Sequence, residues 1–251
     1  MVGNRAGTRR IGAKKRRGLF VAIEGIHGAG KSTQVKALAS WLLEHGYDVT
    51  VTREVGGTAL GERIRGLIQT QGQVAKLANR KSMLLLVMAA RASHVSQVIR
   101  PALNAGKVVV TDRFEASTYV YQHYCDHLGR KQIEGVNNYV TGGLSPHLTI
   151  LLDLPVEVAL GRKVSSWFGQ APREIFQYRL FDYHQRARDG YLKLAADCSE
   201  NGQRWAVISC AEKTAEAVTD EILSVARPLL GPQNLTNSNG LYQMPLTMEG
   251  V

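Results

Sequence analysis

The stretch Gly25-Ile26-His27-Gly28-Ala29-Gly30-Lys31-Ser32 constrains this 251-residue chain more than any other. It fits the spacing G-x-x-x-x-G-K-[ST]. It follows a short apolar run, residues 19–24, and precedes a segment with helical spacing of apolar residues, 31–44. That is the strand–loop–helix setting a phosphate-binding loop requires. Glycines let the main chain fold around an anion with its N–H groups inward, and the helix start adds the positive end of a dipole. Binding of a nucleoside triphosphate is therefore expected at Gly25, His27, Gly28, Ala29, Gly30, Lys31, Ser32 and Thr33. Lys31 is the residue for the terminal phosphates, and Ser32 for Mg²⁺.

Four more apolar runs, 47–52, 107–112, 148–153 and 205–209, read as buried parallel strands. Between them lie stretches with helical periodicity, among them 31–44, 77–102, 156–164, 175–196 and 214–223. Gly46 and Gly106 fall where helix C-caps are expected. The alternation predicts an α/β fold: a parallel sheet of about five strands with helices on both faces, in the three layers of a P-loop nucleoside triphosphatase. Periodicity is lost from Gly231 on, and 229–251 is expected to be an unstructured tail.

The net charge of +10 invites a nucleic-acid reading, so its distribution matters. Seven of the 31 Lys and Arg residues lie in the first 18 positions, with none of the 21 acids, so most of the excess sits on an N-terminal arm. That arm, 1–18, is expected to be unstructured, and it alone offers charge to nucleic acid. No apolar run approaches the roughly 20 residues needed to span a bilayer. Cys125, Cys198 and Cys210 form neither a disulfide framework nor a zinc site, which points to a reducing cytoplasm.

Beyond the loop, further segments fall in an order that resembles thymidylate kinases, the enzymes that convert dTMP to dTDP. Thr52-Arg53-Glu54-Val55-Gly56-Gly57-Thr58 is similar to the family's T-R-E-P-G-G-T. Residues 85–94 resemble L-L-F-A-A-D-R-A-Q-H. Asp112-Arg113-Phe114 with the run Ser117 to Gln122 resembles D-R-Y followed by S-x-x-A-Y-Q. Residues 146–153 match P-D-L-T-x-x-L-D, and Phe181 to Tyr183 with Tyr191 resembles the late helix. The likeness spans roughly 19–225 and implies a kinase domain over 19–228, with a lid at about 162–180, ATP as donor and Mg²⁺ as cofactor.

The resemblance also implies roles. Arg113 and Arg53 would serve the transferred and acceptor phosphates, a task suited to the guanidinium fork. Asp112 would orient magnesium with Ser32. Glu24, His27, Val87, Arg91, Thr118, Tyr121 and Gln122 would line the acceptor site, with Arg91 and Thr118 at the base edge and Tyr121 beneath C2′ of the sugar. A homodimer built through helices is implied as well. The apolar stripe Leu77, Leu84, Leu85, Met88 and Val95 can serve that interface or pack on its own sheet.

Four positions depart from the family pattern. His27 replaces an acid in the loop, Val87 replaces the phenylalanine that stacks on thymine, and Val55 replaces proline. The lid lacks its usual arginine-rich run, which leaves Arg162, Arg173 and Arg179 as candidates for the missing catalytic charge. Two alternatives follow from these departures: a kinase for a different deoxynucleoside monophosphate, or a nucleotide-binding relative with weakened catalysis.

Overall fold

The computed structural model describes residues 18–69, 79–167 and 173–231. The basic arm before Gly18 and the tail beyond Gly231 lie outside the described residues. So do Leu77 and the side chains of Arg173 and Arg179.

Five strands form one parallel sheet: β1 (Leu19–Glu24), β2 (Val49–Arg53), β3 (Val108–Asp112), β4 (Leu148–Asp153) and β5 (Trp205–Ser209), in the order β2-β3-β1-β4-β5. The three inner strands read Leu-Phe-Val-Ala-Ile-Glu, Val-Val-Val-Thr-Asp and Leu-Thr-Ile-Leu-Leu-Asp. Each is apolar nearly throughout because each is covered on both faces. One face packs Val21, Ile23, Val110 and Ile150 against α1 (Lys31–Glu44) and its neighbours. The other packs Phe20, Ala22 and Val109 beneath Val95 and Ile99. Phe20 and Phe114 meet edge to face there, centroids 5.0 Å apart.

The segment expected as one helix over 77–102 is α3 (Arg80–His94), a wide π turn (Val95–Ile99) and α4 (Arg100–Asn104). It starts where Asn79 caps it by accepting from the Ser82 amide at 2.9 Å. The stretch Arg80–Asn104 is long and apolar enough to cross a membrane by length and composition. Its apolar residues have a more direct use: Leu84 and Met88 pack with Ile133, and Val95 packs on the sheet. Among the described residues of that stripe, Leu85 alone points outward, 58% exposed.

Two helices went unread in the sequence, α2 (Ala59–Gln69) and α6 (Arg130–Thr141). Between them come the short α5 (Glu115–Thr118) and a second π turn, Tyr119–Cys125. The remaining helices are α7 (Val156–Trp167), α8 (Arg173–Glu200) and α9 (Ala215–Ala226). A 3-10 turn, Arg227–Leu229, follows and lies against the core.

Register places the functional ends of the strands together. Asp112 pairs with Ile23 on one side and with Arg53 on the other, so the ends of β1, β2 and β3 meet on the carboxyl edge of the sheet. β1 is where the chain turns from building one half of the sheet to building the other, and a crevice at such a point is the usual ligand site of open α/β sheets.

Ile150 is fully buried in β4 between the two helical layers. Ile150→Ala is expected to lower stability by about 2–5 kcal/mol, and Ile150→Val by about 0.5–1.5. Urea unfolding of the two variants checks the ratio.

Candidate active site

The phosphate loop leaves β1 through Gly25 and enters α1 at Lys31. At Gly28, φ is +87° and an added Cβ would lie 2.7 Å from the Ala159 carbonyl oxygen, so glycine is required for conformation and for space. The Lys31 ammonium, 7% exposed, donates to the Ile26 carbonyl at 2.8 Å and is thereby folded back over the loop. Across the sheet edge, Ser32 Oγ donates to Asp112 Oδ2 at 2.9 Å. The other carboxylate oxygen, Asp112 Oδ1, is buried and has no hydrogen-bond partner. A hydroxyl and a carboxylate oxygen side by side, one orphaned, suit a hard divalent cation that takes its other ligands from water and phosphate.

Arg113 follows Asp112 and adopts φ +73°, the left-handed region that costs a residue with a Cβ about 1–2 kcal/mol. Three contacts hold it there. Its amide donates to the Ile23 carbonyl at 3.0 Å, and its Nη1 donates to Ser117 Oγ at 3.0 Å and to the Tyr191 hydroxyl at 2.9 Å. Glu24 organises those partners. Its fully buried carboxylate accepts from the amides of Phe114 (2.8 Å) and Ser117 (3.2 Å), from Ser117 Oγ (2.7 Å) and from the Tyr191 hydroxyl (3.0 Å). Burial raises the Glu24 pKa, and Arg113 opposes that rise in part.

Arg53, at the end of β2, is held by Glu62 of α2 at 3.4 and 3.0 Å, and Glu62 also accepts from the Gly57 amide. Arg65, one turn further along α2, donates to the Val55 carbonyl at 3.0 Å. Burial and the nearby Arg53 charge lower its pKa. Arg162 reaches the Gly28 carbonyl at 3.5 Å. With Lys31 and Arg113, these groups line a cavity of about 490 Å³ beside the loop. The sequence reading did not single out Glu62 or Arg65. Their spacing with Arg53 becomes meaningful only once α2 folds back on the loop.

A second cavity, about 360 Å³, adjoins the first through Glu54 and Arg113. Val87 forms its wall with Ile68 and Met83, so that side is aliphatic. Tyr121, Tyr183 and Phe114 line it as well. The Tyr121 and Tyr183 rings stack at 6.1 Å, and Arg113 sits over Tyr121 at 5.4 Å.

Arg91, only 1% exposed, underlies this cavity with all its nitrogens engaged. It donates to Glu54 (2.8 Å), Asn137 (2.8 Å) and Thr118 Oγ1 (2.9 Å). Glu54 also meets His94 Nδ1 at 2.9 Å, and His94 Nε2 meets Thr52 at 2.6 Å. Burial would raise the Glu54 carboxyl, but Arg91 and His94 outweigh it and the pKa is lowered. The peptide bond between Glu54 and Val55 is cis, with valine where the family pattern has proline.

The glycine loop with its buried lysine opens on a cavity lined by arginines, and that cavity meets a second one about the size of a nucleoside. The thymidylate kinase family description matches residues 23–222. The chain belongs to the thymidylate kinase family. A thymidylate kinase from Chromobacterium violaceum is 41% identical over 219 residues, 87% of this chain and 99% of its own length. One from Pseudomonas putida is 43% identical over 205 residues, 82% and 93% of the two chains. The crystal structure of a thymidylate kinase from Ehrlichia chaffeensis, 29% identical, superimposes with a TM-score of 0.65 over 83% of this chain and 98% of that one.

The buried Glu54–Arg91–His94 group stabilises this thymidylate kinase fold while Glu54 is ionised. Its folded pKa is depressed, so the contribution is full above the unfolded carboxyl pKa of about 4.3 and is lost as pH falls through the folded value. Glu54→Gln is expected to cost about 3–5 kcal/mol near neutrality, since it leaves Arg91 buried without its counter-charge. The gap to the parent should close in acid, as followed by urea unfolding from pH 7 to 3.

Proposed function

We propose that this chain transfers the γ-phosphoryl group of ATP to dTMP, giving dTDP and ADP. The observation that carries the reading is the meeting of a cation-lined cavity and a largely apolar one at Arg113 and Glu54. An oxygen of the acceptor phosphate attacks the γ-phosphorus while the bond to the β-phosphate oxygen breaks and ADP leaves. That oxygen is already anionic, so neither a side-chain nucleophile nor a strong base is needed. What the protein supplies is placement and positive charge.

In this reading the loop residues Gly25 to Thr33 cradle the ATP phosphates and Lys31 reaches the terminal ones. Arg113, fixed by Ser117 and Tyr191, holds the acceptor phosphate. Arg53, Arg65 and Arg162 line the same cavity and offset charge on the group in transit. Arg173 joins them as a lid candidate on sequence alone. Ser32 and Asp112 would hold Mg²⁺, which when bound neutralises charge between the β- and γ-phosphates. On the acceptor side, Tyr121 flanks the sugar, His27 lies toward its hydroxyl, and Val87, Thr118 and Gln122 surround the base. Arg91 acts from beneath, through Thr118.

The same reading takes 19–228 as the catalytic unit, with its lid at 162–180, working in the cytoplasm. It also takes two copies as the working form. Leu60 and Leu67 on α2 and Leu85 on α3 are 50%, 45% and 58% exposed, and these two helices pack against each other. These outward leucines on two packed helices are apolar surface that a second copy can cover. Leu60→Glu with Leu85→Glu is expected to yield monomers in sedimentation analysis.

Steady-state assays with a panel of mononucleotides test the activity. Formation of dTDP from dTMP and MgATP is expected, with a loss of about 10²–10³ in kcat for Lys31→Met and no turnover after EDTA treatment. Absence of dTDP, or full turnover by Lys31→Met, overturns the reading.

A further inference from the structure

Helix α8 ends at Glu200 and β5 starts at Trp205, so the helix runs from the carboxyl edge of the sheet to its amino edge. Side chains three or four residues apart share a helix face, and Ala187, Arg188 and Tyr191 show where one face of α8 lies. Ala187 is fully buried, Arg188 binds Asp153 at the end of β4 at 2.7 and 2.9 Å, and the Tyr191 hydroxyl binds Glu24 at the end of β1. His184 is on the same face, one turn before Arg188 and about 10 Å before Tyr191 at 1.5 Å per residue. That places it beyond the strand ends, on the side of the crevice, and its neighbour Tyr183 lines the acceptor cavity. There His184 Nδ1 is buried and has no hydrogen-bond partner among the described residues. Burial first, then the charges of Arg113 and Lys31, lower its pKa, so the imidazole is neutral near pH 7. Buried polar atoms are nearly always paired, and an exception beside a site calls for a ligand atom.

We propose that His184 is a further catalytic residue, its Nδ1–H donating to an oxygen of the phosphoryl group as that group passes from ATP to the acceptor. Lys31 is assigned to the terminal phosphates of ATP and Arg113 to the acceptor phosphate, and the group in transit lies between the two. Ionised phosphate oxygens only accept hydrogen bonds, so their arrival selects the tautomer with its hydrogen on Nδ1. A neutral donor suits this place. The cavity already holds Lys31, Arg53, Arg65, Arg113 and Arg162, and one more full charge would add repulsion while the site is empty. A fixed N–H bond gains strength as charge spreads over the equatorial oxygens of the transferring group, so it acts on rate more than on substrate binding. The inference rests on the dTMP-kinase reading above and adds to it a donor from α8.

The test compares the full-length enzyme with His184→Phe and His184→Asn, with melting temperatures taken alongside. Phenylalanine keeps a ring against Tyr183, whose own ring lies 6.2 Å away, but has no donor. Its kcat for dTMP with MgATP is expected to fall about 10²-fold, with little change in either KM. Asparagine places an amide nitrogen near the position of Nδ1 and is expected to recover most of the rate. Parental kcat in His184→Phe, or a kcat in His184→Asn as low as that of the Phe variant at an unchanged melting temperature, makes His184 a packing residue and overturns the proposal. A second readout does not depend on turnover. On addition of MgATP to the unmutated enzyme, an Nδ1–H proton resonance of His184 is expected in the NMR spectrum, absent from His184→Phe, and its failure to appear also overturns the proposal. If that resonance appears while no dTDP forms, the reading of the acceptor fails and the contact of His184 with phosphate stands.

Discussion

Four donors converge on the Glu24 carboxylate at the end of β1, and they come from two separate parts of the chain. Phe114 caps the short α5 that follows β3, Ser117 belongs to it, and Tyr191 lies in α8. Because β1 lies at the centre of the sheet, this group locks the β3 turn and the late helix to the strand that launches the phosphate loop. Arg113 is positioned by the same partners, since Ser117 and Tyr191 bind its guanidinium as well as the carboxylate. Burial favours neutralising Glu24, and Arg113 works against this. Removing the carboxylate would strand several buried donors at roughly 1–3 kcal/mol each and loosen Arg113, which shares them. The left-handed backbone at Arg113 persists because this cluster over-determines it.

The cations of the phosphate cavity divide by how they are balanced. Arg53 is paired with Glu62, and Arg113 has Glu24 and Asp112 nearby. Arg65 is bound to a carbonyl, and its pKa is lowered, first by burial and then by the like charges of Arg53 and Arg113, with Glu62 and Asp112 opposing the shift. Some of the charge is therefore held in place by acids, and some is half-buried beside other cations. Field lines from such a cleft also favour the approach of polyanionic nucleotides. That local excess is unrelated to the +10 of the whole chain, most of which lies in residues 1–18.

The sheet was legible because parallel strands covered on both faces leave unbroken apolar runs, and the loop because its spacing is set by the geometry of a phosphate. Helix α6 left a fainter mark, Ile133, Val136 and Val140 at helical spacing among polar residues, and α2 is interrupted by Gly61 and Gly66. The long apolar helix was read whole, but not the π turn at Val95–Ile99, which no periodicity announces. At the site, residues that act through their own motif could be named. The roles of those that act through a distant partner could not: Glu62 matters by holding Arg53, Tyr191, known only as part of a late-helix motif, by holding Arg113 across 78 positions, and His94 by bridging Thr52 and Glu54. Such roles come into being with the tertiary structure, and a single sequence carries no trace of which pairs will meet.

Replacing an aromatic by Val87 removes a stacking face worth roughly 1–3 kcal/mol per base, and the aliphatic wall of Val87, Met83 and Ile68 grips any flat ring about equally well. Apolar contact of that kind discriminates weakly between pyrimidines, whose rings differ little in shape. On the proposed reading of this cavity as the acceptor-base site, selectivity falls to its few polar groups. The buried charges behind them, Glu54 holding Arg91 and Arg91 holding Thr118, keep those groups from adapting to a different partner. The cost of desolvating an ion pair beneath an apolar cavity is thus tied to what the cavity must do.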